Sequence, residues 1–128
     1  MRGQVGIEFL VYVSIVLFLL SIFLYSSYSK QFQLMNIKID NELREIIDGA
    51  KFEINAAVRA GDGYQRRFNM KAYYQTLNDF NITIREGLVE VNFGNRYYYG
   101  SLLTKNIVGN LTKEWNVIRN DGGMIYVN

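Results

Sequence analysis

The distribution of apolar and polar residues divides the chain into two parts. Residues 9–29 include no charged side chain, and this stretch is about 21 residues long. An α-helix rises about 1.5 Å per residue, so a helix of this length covers the roughly 30 Å hydrocarbon core of a bilayer. Apolar residues lie on every side of such a helix, which suits lipid or the core of a helix bundle and not a surface exposed to water. The pattern predicts a helix that spans a membrane at some stage.

A second helical pattern follows Lys30. Apolar residues recur there at spacings of three and four, which predicts one stripe of an amphipathic helix. The chain has no proline that would separate the two helical patterns, and residues 60–63, with two glycines, predict the end of the helix. The predicted stripe consists of Phe32, Met35, Ile39, Leu43, Ile46, Ala50, Ile54 and Ala57. We interpret the opposite face as solvated surface, and it carries Lys38, Asp40, Glu42, Arg44, Glu45, Asp48 and Lys51.

After Tyr64 the apolar period changes from about 3.6 residues to about two, the period of β-strands. Residues 80–84 and 88–93 alternate on either side of Glu86-Gly87, which predicts a β-hairpin. We also predict strands at residues 97–103, 115–118 and 124–127, a less regular strand at 70–77, and turns at residues 109–110 and 121–122. The predicted fold class is α+β, with a long N-terminal helix and a small C-terminal antiparallel β-sheet that covers the amphipathic stripe.

Composition argues against catalysis. The chain contains no histidine and no cysteine, and so lacks the commonest general base, the commonest metal ligand and the strongest nucleophile. Its 14 basic and 12 acidic residues are scattered, with no basic run that would bind nucleic acid. We interpret Glu86 and Glu90 as solvated carboxylates of a hairpin and not as a catalytic pair. The sequence predicts a protein that is not an enzyme and that has no cofactor, no metal site and no nucleic-acid partner.

The residues before the apolar run need a separate explanation. A cleavable secretory signal fits poorly. Such a signal has an apolar stretch of about 7–15 residues followed by a small-residue cleavage site, whereas the apolar run here is longer and no Ala-x-Ala pattern follows it. A plain membrane anchor does not account for Glu8, since an ionised carboxylate at the centre of a membrane helix costs about 2.5–3.5 kcal/mol, and less near the interface. Glu8 therefore calls for a partner.

This N-terminus resembles the class III signal peptide of archaeal type IV pilins. That leader ends in a basic residue and glycine, and is followed by Gln-x-Ser-x-Glu and an apolar helix. Arg2 and Gly3 match the end of the leader, Gln4 matches the new N-terminus, and Glu8 matches the glutamate at position five of the mature chain. Gly6 stands where the family pattern has serine.

The resemblance implies four segments: a leader at residues 1–3, a transmembrane and filament-core helix at 4–29, an amphipathic helix at 30–60, and a β-rich extracellular head at 64–128. It implies cleavage by a prepilin peptidase, and assembly with an ATPase and a platform membrane protein into a homopolymer at the cell surface, used for adhesion. Glu8 is then expected to pair with the α-amine of a neighbouring subunit. The alternative left open is a single-pass membrane protein whose outer head binds a partner without polymerising.

Two smaller signals concern the predicted head. Asn81 and Asn110 each begin an Asn-x-Thr triplet, which makes them candidate N-glycosylation sites of a glycoprotein. Tyrosines cluster at residues 73–74 and 97–99. We expect these rings mainly to pack the sheet on the helix, with subunit contact or adhesion as the alternative, because tyrosine combines a large apolar area with a polar tip.

Overall fold

A computed structural model describes residues 2–128, with side chains from residue 3 onward. One α-helix, α1, runs from Arg2 to Ala60 and is followed by seven strands and a short 3₁₀-helix, Met70–Tyr73. This arrangement confirms the predicted α+β fold class. The strands are β1 (Gln65–Asn69), β2 (Asn81–Arg85), β3 (Leu88–Phe93), β4 (Arg96–Ser101), β5 (Ile107–Gly109), β6 (Trp115–Asp121) and β7 (Met124–Val127).

The described residues form two compact units. The first unit ends at Lys38 and consists of helix alone. The second unit, which we call the head unit, extends over Ile39–Asn128 and combines the last part of α1 with all seven strands. The boundary between the two units therefore lies inside a continuous helix.

The strands form two sheets where the sequence predicted one. A four-stranded sheet has the order β1-β6-β7-β5, and its β5 and β7 run parallel while its other pairs are antiparallel. A three-stranded antiparallel sheet has the order β2-β3-β4. Gly109 makes the parallel pairing possible, because its φ is 99° and a Cβ there would overlap the carbonyl oxygen of Val127.

The predicted hairpin is confirmed. Ile84 pairs with Val89 and Arg85 pairs with Leu88, so Glu86 and Gly87 are its two turn residues. Both turn residues have positive φ, 49° and 79°, as a tight turn matching the twist of the strands requires. The strands predicted at residues 97–103, 115–118 and 124–127 correspond to β4, β6 and β7, and β6 extends to residue 121, so its turn falls at residues 122–123.

The strand predicted at residues 70–77 is wrong. The Asn69 side chain accepts a hydrogen bond of 2.9 Å from the amide of Lys71 and caps the 3₁₀-helix there, where Met70 is buried. Strand β1 was not predicted, because Phe68 is the only buried residue in it and a single buried position gives no alternation.

The apolar stripe of α1 lies in one core with both sheets. Its residues from position 43 onward are fully buried: Leu43, Ile46, Ala50, Ile54 and Ala57. Phe32 and Met35, which were expected on the same stripe, are exposed because they precede the head unit. The sheets contribute Ile82, Val89, Val91, Ile118, Ile125 and Val127 to the core, and Phe80, directly before β2, is also part of it. Gly49 brings the chain after β1 close to the helix, since a Cβ at this position would overlap the ring of Tyr73.

Two carboxylates that the sequence placed on a solvated face instead bond the helix to the rest of the head unit. The Glu42 side chain, 6% exposed, accepts hydrogen bonds from the amides of Thr76 and Leu77, at 3.1 and 3.0 Å, and from the Thr76 hydroxyl. Asp40 accepts from Arg96 at 2.7 Å and from the Tyr98 hydroxyl at 2.8 Å. The interpretation of this face as solvated is wrong for Glu42, because the backbone after the 3₁₀-helix lies against it. Asp40 keeps 40% of its side chain exposed and also bonds to strand β4.

Three further polar contacts hold the last two turns of α1 and Glu53 against the strands and the 3₁₀-helix. Glu53 is 2% exposed, accepts a 2.9 Å hydrogen bond from the Tyr73 hydroxyl, and lies 3.3 Å from Nε of Arg66. The Asn120 side-chain amide donates to the carbonyl of Ala57 at 2.9 Å, which satisfies one of the carbonyls that a helix end leaves unpaired. The helix ends at Ala60, as predicted.

The hydrogen bonds of Glu42 predict an acid-sensitive head unit. Burial raises the pKa of Glu42, but the bonds from Thr76 and Leu77 outweigh burial and hold the pKa below its ordinary value of 4.5. The folded state thus binds this proton less tightly than the unfolded state does. The stabilisation is present above pH 4.5 and is lost as the pH falls through the folded-state pKa.

We therefore expect Glu42→Gln to lower the free energy of unfolding at neutral pH by about 2 kcal/mol, since bonds to a charged group are lost. The variant should also lose stability less steeply than the wild type below pH 4.5. Urea denaturation of the full chain in a neutral detergent, repeated across pH, measures both effects. Glu45→Gln, an exposed carboxylate on the same helix, is the control. An unchanged pH dependence in Glu42→Gln would contradict the assignment.

Candidate membrane-spanning and assembly segment

The apolar run of α1 is exposed around its whole circumference. None of the side chains in its most apolar 18-residue stretch is buried. The exposed fraction of Tyr25 is 79%, and that of Leu20, among the lowest in the run, is still 49%. A soluble helix covers at least one stripe against its own protein, so this surface needs an external apolar neighbour.

Length and composition make this helix able to cross a membrane. Residues 9–29, at about 1.5 Å per residue, extend about 31 Å, which matches the hydrocarbon core of a bilayer. The helical state is also the one that lipid requires, because a helix satisfies its backbone hydrogen bonds internally.

The two serines in the middle of the run, Ser14 and Ser21, do not oppose this placement. The Ser14 hydroxyl donates to the carbonyl of Leu10 and the Ser21 hydroxyl donates to the carbonyl of Leu17, each at 2.8 Å. Each bond reaches back one helical turn, so neither hydroxyl needs water as a partner. Polar side chains that bond to their own helix in this way can lie in hydrocarbon.

The residues of the predicted processing and assembly site lie at the start of α1. Gly3, Gln4 and Glu8 are helical and exposed, and Glu8 follows Gln4 by one turn on the same side of the helix. Within residues 3–128, the Glu8 carboxylate forms no hydrogen bond or ion pair. Met1 and the side chain of Arg2 lie outside the described residues, and cleavage between residues 3 and 4 stays a prediction.

The two candidate glycosylation sites are both at the surface. Asn81 is the first residue of β2 and is exposed. Asn110 is exposed and follows β5, and its side-chain oxygen accepts from the amides of Ile84 and Leu111, at 3.0 and 3.1 Å. Use of either site stays a prediction.

The structure adds a groove that the sequence did not predict. Arg85, Glu86, Leu88, Glu90 and Tyr99 line an open groove of about 470 Å³ beside the hairpin. Glu90 and Tyr99 become neighbours because β3 and β4 pair in that register, which depends on the turn between the strands. Among the described residues, no group of three or more acidic side chains is placed to hold a metal ion.

The fold and this segment together define an α+β protein whose N-terminal helix is long and apolar enough to span a membrane. Comparisons with protein-family models, with curated proteins and with solved structures gave no match.

The exposure of the run leads to a prediction about membrane insertion. The double substitution Leu17→Arg/Leu20→Arg should cost about 5–7 kcal/mol, because each arginine near the centre of a membrane helix costs about 2.5–3.5 kcal/mol. We expect the variant protein to move from the membrane fraction that resists alkaline extraction into the extractable fraction. Glu45→Arg/Phe52→Arg is the control, because both residues are exposed on α1 beyond the run. Equal membrane retention of the two variants would refute a membrane-spanning role.

Proposed function

We propose that this chain is a structural subunit, a pilin, of a type IV pilus-like archaeal surface filament, and that it acts by assembly and not by catalysis. A prepilin peptidase removes residues 1–3, and an assembly ATPase with a platform membrane protein adds the subunit to a homopolymer. The observation that carries the proposal is the exposed apolar run of α1, with Arg2-Gly3-Gln4 and the carboxylate of Glu8 directly before it.

The circumference of the run suits both states that the proposal requires. In the membrane, lipid tails surround the helix and cover all of its apolar faces. In a filament, several copies of the same helix surround it, and van der Waals packing between helices replaces the contacts with lipid. A narrow apolar stripe would serve a single helix partner, whereas apolar exposure on every side serves a bundle.

Glu8 connects cleavage to assembly. Its carboxylate has no partner within residues 3–128, and burial of an unpaired carboxylate is costly. Cleavage after Gly3 creates a positive α-amine at Gln4, one helical turn before Glu8. A neighbouring copy shifted along its axis can then present this amine to Glu8, so each buried charge compensates the other.

The head unit supplies the outward surface. Tyr97 and Tyr99 are 55% and 60% exposed, while Tyr73, Tyr74 and Tyr98 pack against the core. Alternation along β4 sends neighbouring rings to opposite faces, which leaves Tyr97 and Tyr99 available for the subunit contact or adhesion that we propose. Adhesion through this unit is part of the proposal.

The N-terminus of the mature chain provides the first test. In protein from sheared surface material of the native host, we expect a chain that begins at Gln4 with a free α-amine, as pairing with Glu8 requires, measured by intact mass and N-terminal sequencing. The same form should be enriched in the sheared fraction relative to the membranes. A chain that keeps residues 1–3 and occurs only in membranes would support the single-pass anchor instead.

The carboxylate provides the second test. Glu8→Gln should reduce the yield of sheared filaments more than tenfold, since loss of one member of a buried charge pair costs about 3–5 kcal/mol. Membrane insertion and the N-terminal mass should stay as in the wild type, because neither depends on the pair. Glu45→Gln serves as the control, and an unchanged filament yield in Glu8→Gln would exclude the charge-pair mechanism.

A further inference from the structure

The outer face of the four-stranded sheet combines arginines with aromatic rings. Alternation along β6 buries Asn116, Ile118 and Asn120 and sends the residues between them outward. Strand pairing places outward residues of β1, β6 and β7 next to one another. We call this surface the arginine–aromatic face, and it consists of Gln65, Arg67, Trp115, Val117, Arg119 and Tyr126.

Each of its two arginines stacks on a ring. The guanidinium carbon of Arg67 lies 4.5 Å from the centre of the Trp115 ring, and that of Arg119 lies 5.1 Å from the centre of the Tyr126 ring. These cation–π contacts attract each guanidinium to the face of its ring. Neither arginine forms an ion pair within residues 3–128, so N–H donors of both guanidiniums are available to a ligand.

Neither arginine has an acidic partner in the described part of the chain. Arg66, one residue away on the other face of β1, is paired with Glu53, and Lys71 is paired with Glu114 at 2.6 Å. Arg67 and Arg119 also occupy diagonal positions on neighbouring strands, where side chains begin about 7–8 Å apart. Two cations without a paired carboxylate therefore stand on one face, where an external anion can bind them.

The rings add an apolar component to this cationic surface. Trp115 is 54% exposed, although large aromatic side chains are mostly buried. Beside it, a shallow groove of about 270 Å³ has Gln65, Val117, Arg119 and Tyr126 among its lining residues. A ligand that fits this face needs anionic groups for the arginines, a flat apolar surface for the rings, and polar groups for the Gln65 amide.

We propose that the arginine–aromatic face binds an acidic polysaccharide. Carboxylates of the sugar chain accept bidentate hydrogen bonds from Arg67 and Arg119, the C–H faces of sugar rings pack on Trp115 and Tyr126, and hydroxyl groups bond to Gln65. The ligand is met outside the cell, so this assignment rests on the proposed function for its location. It names the ligand class that the adhesive head would recognise.

Charge favours a polysaccharide over a nucleic acid. Nucleic-acid binding commonly uses six or more phosphate contacts along a basic stripe. This face has two arginines, Asp121 stands at the end of β6, and the net charge of the chain is +2. Single-stranded DNA also stacks on aromatic rings beside cations and is therefore the competitor to exclude.

The chain has one tryptophan, so its fluorescence reports on this face directly. The full chain in neutral detergent micelles is titrated with polygalacturonate, with uncharged dextran, and with oligothymidylate. We expect polygalacturonate to change the Trp115 emission in a saturable way that weakens with added salt, and we expect no change with the other two. Equal responses to dextran, a stronger response to oligothymidylate, or no response to polygalacturonate would each overturn the proposal.

Substitutions locate the binding. Arg67→Gln and Arg119→Gln should each weaken polygalacturonate binding about tenfold, because each removes a charge-assisted pair of hydrogen bonds. Arg85→Gln on the three-stranded sheet is the matched control, since Arg85 is also an exposed strand arginine. Affinity electrophoresis through polygalacturonate repeats the comparison without the tryptophan signal. Equal binding by all three variants would place the ligand elsewhere.

This binding assay uses the unassembled chain, so its result does not depend on filament formation. Binding by a chain that never forms filaments would leave the ligand assignment intact and remove the pilin assignment. Normal filaments with no binding would leave the pilin assignment intact and remove the ligand assignment.

Discussion

Burial of the second half of α1 against both sheets is the constraint on which the head unit depends. Leu43, Ile46, Ala50, Ile54 and Ala57 are inaccessible to solvent, and no other helix longer than one turn is available to the described strands. Each of the two sheets, of four and of three strands, has an apolar face that must be buried against another element, and the helix supplies that partner for both. Polar bonds along the sides of the helix then fix its position along the sheets, because the buried carboxylates of Glu42 and Glu53 each need their donors in place.

The same helix presents the opposite situation before residue 39. There the apolar residues have no partner within residues 3–128, and burial of their surface needs an apolar neighbour outside the chain. One helix thus carries first an exposed and then a buried apolar surface. Under the proposed function, substitutions in the exposed run alter membrane insertion and assembly, whereas substitutions in the buried stripe alter the stability of the head unit.

Local patterns predicted the features that depend on nearby residues. The apolar run, the stripe from residue 43, the helix end and the Glu86-Gly87 hairpin each follow from periodicity or turn chemistry within a few positions. The features that depend on distant pairing were missed. Asp40 and Glu42 looked solvated because their donors lie more than 30 residues away, and the parallel β5–β7 pair depends on a close approach at Gly109. The neighbours of Trp115 follow from the β1–β6 register, which no short segment encodes.

Strand alternation explains how the head unit can present a ligand-binding surface without loss of stability in its core. Along β6, buried and outward positions alternate, so Ile118 packs in the core while Arg119 faces outward. Residues on the outward face contribute little to the apolar burial that holds the sheets on α1. That face is free to carry two like-charged arginines, whose mutual repulsion is small beside the energy of the core. An arrangement of this kind costs little stability, and it leaves the charges of Arg67 and Arg119 available to an anionic ligand.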